Sequence, residues 1–248
     1  MKTSNNTILI TGGGSGIGFE MAKRLSPDNR IILTGRKEEK LKAAVAQLSH
    51  ATYIVGDVSD AADVDRLTER LFREFPELNV VVNNAGVVNR YNVAAENANA
   101  YTYAGEEMLV NYLSVVRLNE KLLPLLRQQA ESAIVNVTST FALVPNPGTA
   151  GYGASKMALR SYTLALRMLL EDSSVKVFEL LPPYTDTEFI RKNGKFDGIP
   201  ASVVVDDLVN GLANDLFEIL VGESKTIYDL YLESPEKAIN FYKIPKKA

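Results

Sequence analysis

The chain has 248 residues, 46% hydrophobic and 23% charged, the proportions of a globular protein rather than a disordered or fibrous one, and at this length it is expected to bury roughly 70% of its unfolded surface. With 27 Lys and Arg against 30 Asp and Glu the formal charge is −3, so there is no electrostatic footprint for nucleic acid or an anionic membrane, and a small molecule is the expected partner. The lack of cysteine excludes disulfides, thiolate nucleophiles and cysteine-held metals. No metal site is expected, and any Ser/His/Asp triad would have to use the single histidine, His50. His50 reads as a solvated residue at the end of a helix predicted over Lys37 to Ser49. The polar start Met1-Lys2-Thr3-Ser4-Asn5-Asn6, and the absence of any apolar run approaching ~18 residues, argue against a signal peptide or membrane span. A cytoplasmic protein is expected.

Thr7 to Thr11 reads as a short strand, followed by Gly12-Gly13-Gly14-Ser15-Gly16-Ile17-Gly18 and a helical run from Phe19 to Leu25. Arg30 to Thr34 is a second strand, after which Leu41, Ala44, Val45 and Leu48 recur at helical spacing. Thr52 to Val55 is a third strand, and Val64, Leu67, Leu71 and Phe75 form one apolar stripe on the next helix. Further strands are predicted at Val80 to Val82, Ile134 to Val137, Val175 to Leu181 and Glu218 to Val221. Long helices are predicted from about Gly105 to Gln129 and Tyr152 to Glu171, with a helical tail from Ser224 to Ala248. Short apolar strands alternating with helices predict one α/β domain over residues 1–248, a doubly wound parallel sheet of about seven strands covered on both faces.

Gly12-x-x-x-Gly16-x-Gly18 lies between a predicted strand and a predicted helix, where glycines let the backbone approach a pyrophosphate and the helix N-terminus favours its charge. Gly12, Ser15, Gly16, Ile17 and Gly18 are therefore candidate cofactor residues. The second strand ends in Thr34-Gly35-Arg36. No carboxylate stands at position 35 to repel a 2′-phosphate, and the Arg36 guanidinium can fork onto one, which favours NADP(H) over NAD(H). Against this, Arg36 also reads as a solvated helix-start residue, Ser15 adds no second cation, and Glu38 and Glu39 stand nearby.

Tyr152-Gly153-Ala154-Ser155-Lys156 places a phenol and an ammonium on one helix face. A cation beside tyrosine stabilises the phenolate and makes Tyr152 a usable general acid/base. By itself this spacing also suits an ordinary surface pair. Three more motifs accompany it in order: Thr11-Gly12-x-x-x-Gly16-x-Gly18, Asn83-Asn84-Ala85-Gly86, and Ser139, 13 positions before the tyrosine. From about Thr7 to Thr187 the chain closely resembles the short-chain dehydrogenase/reductase family.

That resemblance implies a Rossmann-type fold and an oxidoreductase that moves a hydride between nicotinamide and a carbonyl or secondary alcohol. Tyr152 would transfer the proton, Lys156 would lower the tyrosine pKa and hold the nicotinamide ribose, and Ser139 would hydrogen-bond the substrate oxygen. Asn111 matches the asparagine that supports a proton-relay water, although it also reads as a polar helix-face residue. Asp57 would accept from the adenine amino group with Val58 beside the ring, and Asn83, Ala85 and Gly86 would pass the adenosine ribose. Asn84 would join the central strands. Pro182 and Thr187 complete the cofactor set, Thr187 against the carboxamide.

The chain departs from the family at Leu181-Pro182-Pro183-Tyr184-Thr185-Asp186-Thr187, where Pro183 replaces the usual glycine, fixes φ and lacks an N–H. This Pro-Pro form resembles the DltE-like branch. A substrate lid is expected at about 186–201, with Phe189, Ile190, Phe196 and Ile199 as its apolar members. Candidate wall residues are Phe141, Leu143, Val144, Asn146, Tyr184 and Phe189, each of which also suits ordinary packing; they suggest a partly apolar substrate. Arg90 near the mouth would meet an anionic substrate or simply be solvated. The resemblance also implies a homodimer through the two long helices, with a tetramer possible unless the tail at 224–248 rebuilds that interface. A dinucleotide-binding regulatory module is the rival reading; an intact set of Asn111, Ser139, Tyr152 and Lys156 argues against it.

Overall fold

The computed structural model describes residues 1–191 and 198–241. The chain runs β1 (Thr7–Thr11), α1 (Gly16–Leu25), β2 (Arg30–Gly35), α2 (Glu38–Val45), β3 (Ala51–Val55), α3 (Ala61–Glu74) and β4 (Leu78–Asn83). Next come α4 (Ala100–Met108), a π-helical turn (Leu109–Leu113), α5 (Ser114–Leu126), β5 (Ser132–Val137), α6 (Ala150–Leu169) and β6 (Val175–Leu181). The last part holds β7 (Thr185–Asp186), α7 (Glu188–Arg191), β8 (Ile199–Pro200), α8 (Ala201–Ala213), β9 (Glu218–Leu220), α9 (Glu223–Glu233) and α10 (Pro235–Phe241).

Seven strands form one sheet in the order β3-β2-β1-β4-β5-β6-β9, every pair parallel. Side chains alternate across it with period two. Ile8, Ile10, Ile31, Leu33, Val80 and Val82 face Met21 and Leu25 of α1 and Val204 and Leu208 of α8. Leu9, Ile32, Val81 and Ile134 face Val64, Leu67 and Leu71 of α3 and Leu118 and Leu122 of α5. Burial on both faces is why these strands read as unbroken apolar runs, and each such side chain contributes about 1.5–3 kcal/mol. A third cluster joins Phe141, Leu143, Val144 and Leu181 to Ile227 of α9 and Ala238 of α10, so the helical tail packs on the loop after β5.

The structure differs from the sequence reading in several places. The first long helical stretch begins at Ala100 rather than Gly105 and is interrupted by the π turn. Helix α2 stops at Val45, leaving His50 exposed just before β3, where its carbonyl accepts from the Ile31 N–H at 2.8 Å. The helix α8 was not foreseen, because Val203-Val204-Val205 is a β-branched run; packing of Val204, Val205 and Leu208 against α1 overrides that preference. Among the described residues no helix is long and apolar enough to cross a membrane.

The crossovers from β1 to β2 and from β3 to β4 lead to opposite sides of β1. A crevice therefore opens beyond the C-terminal ends of β1 and β4, where a doubly wound sheet takes its ligand.

Candidate active site

The floor of the crevice is the glycine turn. Gly12 and Gly16 have φ of +65° and +58°, which only glycine adopts without strain. A Cβ on Gly18 would lie 2.5 Å from Asn84 Nδ2 and 2.7 Å from the Gly12 carbonyl, so the missing side chain admits Asn84. Asn84 Nδ2 donates to the carbonyls of Thr11 at 2.9 Å and Gly12 at 3.3 Å. In return Thr11 Oγ1 accepts the N–H groups of Asn84 and Ala85, both at 3.0 Å. These bonds lock the glycine turn and the Asn83–Gly86 segment into one surface. No side chain caps the start of α1 at Ser15, and Ser15, Gly16 and Ile17 line the crevice, leaving the first-turn N–H groups to an anion.

Gly12, Ala85, Gly86, Pro182 and Thr187 line the same crevice, together with Ser139, Tyr152 and Lys156. Thr187 is buried, and a Cβ on Gly16 would touch it at 3.4 Å. Arg36 borders an adjoining lobe with Gly35, and there Lys37 and Lys40 add two cations that the sequence reading missed, Lys40 being paired with Glu188, while Glu106 and Glu188 border the same lobe. A pyrophosphate and a ribose phosphate both fit this donor set, so the residues suit a dinucleotide. Asp57 borders neither lobe. Its Oδ1 accepts from the N–H and Oγ of Ser59 at 2.9 and 2.6 Å, and its Oδ2 lies 3.9 Å from Arg36 Nη1. Val58 beside it is buried.

Asn83, expected to pass the adenosine ribose, contributes no side chain to the crevice. It is buried instead, donating to Asn119 Oδ1 at 2.9 Å and Asn136 Oδ1 at 2.8 Å. Strand alternation at the end of β4 turns Asn83 inward and leaves Asn84 toward the crevice.

The reactive side chains come from β5, the π turn and α6. Lys156, buried, donates from Nζ to the Val137 carbonyl at 2.8 Å. Ser139 opens the short turn after β5, where its Oγ accepts the Phe141 N–H at 3.3 Å, and its hydroxyl acts on the Tyr152 phenol in favour of the ionised form. Asn111 sits in the π turn, a device that commonly marks functional positions. Its Oδ1 accepts the Val87 N–H at 2.8 Å, and its Nδ2 donates to the Val87 carbonyl and Ser155 Oγ, both at 2.9 Å. Ser155 Oγ in turn donates to the Tyr152 carbonyl at 2.7 Å. The Asn111 side chain thus braces the loop after β4 against the turn of helix that carries the tyrosine.

Burial pushes the Tyr152 phenol up to about 12, with the Ser139 hydroxyl opposing the rise. Burial also pushes the Lys156 ammonium down to about 8. The expected lowering of the tyrosine pKa is therefore not seen: Lys156 turns to Val137, its Nζ is 5.7 Å from the Tyr152 ring centroid, and desolvation of the phenol dominates.

On the substrate side, Phe141, Tyr184 and Phe189 line the crevice. The Phe141 ring meets Tyr184 edge-on at 5.5 Å and Tyr152 at 6.3 Å, and Phe189 stands 6.4 Å from Tyr152. Leu143 and Val144 are instead core residues under the tail. Asn146 caps its own turn by accepting the Gly148 N–H at 2.9 Å and donates to the Tyr184 hydroxyl at 3.3 Å. Val88, Arg90, Thr149 and Ile190 complete the wall. At the two ends of the segment expected as a lid, β7 and β8 pair as Thr185 with Ile199 and Asp186 with Pro200. Its α7 carries Phe189 and Ile190, Ile199 packs into the core, and Phe196 lies outside the described residues. Glu107, buried on α4 behind the site, had no signal in the sequence.

Comparison with known proteins agrees with this geometry. Residues 6–197 match the short chain dehydrogenase family. The chain is 38% identical over 225 residues to an uncharacterised oxidoreductase, DltE, of Bacillus subtilis strain 168, covering 88% of this chain and 89% of that one. A short chain dehydrogenase from Burkholderia cenocepacia J2315 in complex with NADP superposes with a TM-score of 0.86 at 24% identity, over 99% of this chain and 100% of that one. A short chain dehydrogenase/reductase from Burkholderia phymatum in complex with NAD gives the same score at 22% identity, over 100% of this chain and 99% of that one. The chain belongs to the short-chain dehydrogenase/reductase family and is an oxidoreductase of that family.

Proposed function

We propose that this protein is an NADP(H)-preferring oxidoreductase acting between a carbonyl compound and its secondary alcohol, with Tyr152 as the proton donor. The observation that carries the reading is that Tyr152, Ser139 and Lys156 line one crevice with the glycine turn and Gly86. Bound dinucleotide supplies the hydride donor or acceptor. Ser139 then hydrogen-bonds the substrate oxygen, Tyr152 gives that oxygen its proton, and Lys156 holds positive charge beside the phenol as it ionises. A phenol that burial keeps protonated suits the reductive direction.

Preference for the 2′-phosphate rests on Arg36, Lys37 and Lys40 around a lobe that Gly35 leaves open. Of the nearby carboxylates, Glu38 is taken by Lys42 at 3.2 Å and the Tyr53 hydroxyl at 3.1 Å, whereas Asp57 stands 3.9 Å from Arg36 and Glu188 pairs with Lys40, and a 2′-phosphate competes with both. A fluorescence titration at fixed ionic strength is expected to show NADPH binding at least about tenfold tighter than NADH, a difference of about 1.4 kcal/mol; equal binding would refute the preference. Turnover on a panel of ketones, aldehydes and diols is expected to vanish in Tyr152→Phe while NADPH still binds. Retained turnover would remove Tyr152 from the reaction. We further propose one domain and a homodimer, the latter through the partly exposed Leu109, Leu113 and Met157 of the π turn and α6.

A further inference from the structure

On the reading that Tyr152 is the proton donor, we propose that Glu107 is its positioning residue: the buried carboxyl braces the first turn of α6, against Gly151, from the neighbouring helix. Glu107 lies on α4 with no exposed surface. Its Oε1 accepts the Asn89 N–H at 2.7 Å, while Oε2, equally buried, has no hydrogen-bond partner. No cation among the described residues contributes to its electrostatics. An uncompensated carboxyl in such a place is costly and persists where the surroundings make use of it.

The neighbouring chain is shaped to admit this group. Gly151, the residue before Tyr152, approaches α4 so closely that a Cβ there would lie 2.3 Å from Glu107 Oε2, 2.5 Å from the Tyr91 hydroxyl and 3.0 Å from Ala104 Cα. A glycine inside a helix is unfavourable relative to alanine, and here it makes room for a carboxylate and a phenol. The first turn of α6 contains no acidic residue, and Thr149 makes no side-chain cap. Both missing elements come from outside the helix. The Tyr91 hydroxyl accepts the Gly151 N–H at 3.0 Å, and Glu107 places negative charge against the positive end of α6.

The titratable groups facing Glu107 are Glu106 on its own helix, Tyr91 on the loop after β4 and Tyr152 on α6; Tyr103 of α4 stacks on Tyr91 at 5.4 Å between ring centroids. Lys156, one turn beyond Tyr152, turns its ammonium to Val137. Burial, together with Glu106, raises Glu107 to about 7, and the Glu107 charge raises Tyr152. As pH rises through neutrality Glu107 ionises, and the phenol becomes harder to deprotonate. The proton-donating form is thereby held into the alkaline range.

The test uses protein labelled with 13C at the tyrosine Cζ, with the Tyr152 resonance assigned by its loss in Tyr152→Phe. Between about pH 5 and about pH 9, a range in which Tyr152 itself does not titrate, that resonance is expected to shift with a midpoint near 7. In Glu107→Gln the component with a midpoint near 7 is expected to disappear, leaving the shift from Lys156, whose ammonium lies 5.7 Å from the ring and is pushed down to about 8, and the alkaline fall in kcat/KM for NADPH-dependent reduction is expected to move to lower pH with NADPH affinity unchanged. Gly151→Ala, which displaces the carboxyl without changing its charge, is expected to alter the same midpoint. A Tyr152 resonance that is flat in the parent protein, or that titrates identically in Glu107→Gln, would overturn the proposal. Turnover persisting in Tyr152→Phe would overturn the role of Tyr152 instead, leaving the resonance titration to decide the coupling.

Discussion

Replacing Arg160 by methionine tests the polar joint that ties α6 to the sheet two turns beyond Tyr152. Arg160 pairs through Nη1 with Glu179 and through Nη2 with Glu218 at 2.8 Å. Glu179 has no exposed surface and accepts the Thr138 hydroxyl at 2.8 Å; Glu218 also accepts the Tyr228 hydroxyl at 2.9 Å. Burial pushes the Glu179 carboxyl up and the Arg160 charge pulls it down. Methionine keeps the aliphatic volume but leaves Glu179 charged with Thr138 as its remaining neutral partner. Breaking a buried pair costs about 3–5 kcal/mol. Because the Arg160 side chain keeps 14% exposure and water can enter, the lower end applies, about 3 kcal/mol. At about 2–4 °C per kcal/mol for a protein of this size, the melting temperature should fall by about 6–12 °C. Calorimetry at pH 7.5 measures it. The double variant Arg160→Met/Glu179→Gln removes the stranded charge and keeps an acceptor for Thr138, so it should recover at least about half of the loss. A single variant within about 1 kcal/mol of the parent, or a double variant less stable than the single one, would refute the reasoning.

Gly18→Ala should lower stability by about 1–3 kcal/mol through overpacking, because the new Cβ meets Asn84 and the backbone of Gly12. Thermal melts read that loss, and an NADPH titration should show weakened binding. Glu107, raised from 4.5 to about 7 in the fold, contributes stability that is complete below its unfolded value and is lost as pH rises through about 7. Glu107→Gln should therefore gain about 3 kcal/mol relative to the parent between pH 5 and pH 8, at about 1.4 kcal/mol per unit; urea melts giving the same difference at both pH values would contradict this. Leu113→Glu, at a position 47% exposed on the π turn, should convert dimer to monomer in light scattering without altering the melting temperature of the isolated fold by more than about 1 kcal/mol equivalent.

Local pattern carried the parts of this protein that were legible in its sequence. Strand runs from Thr7 to Thr11 and from Val175 to Leu181 are buried on both faces, and the glycine turn needs particular residues at particular steps. What local pattern does not encode is which way a side chain turns at the end of an element. Asn83 and Asn84 are adjacent and chemically identical, yet one is an internal crosslink and the other holds the glycine turn. Lys37 and Lys40 carry no signal in the sequence, and only the placing of the β2–α2 segment beside the crevice brings them to it. Glu107 follows another glutamate and lacks any periodic signal; its burial is created by Gly151, distant in sequence but adjacent in space. The raised Tyr152 pKa is a property of the enclosure, and no spacing of tyrosine and lysine conveys it.

The contact of the tail with the loop after β5 has a kinetic consequence. The glycine turn is held by bonds between Thr11 and Asn84, 73 positions apart. The wall at Phe141 is finished only when Ile227 and Ala238 arrive against it. Such distant pairings form late, because loop closure must be met before the contact rewards it. A refolding chain should therefore lock the glycine turn before it completes the wall at Phe141, and α9 and α10 set the interval between the two.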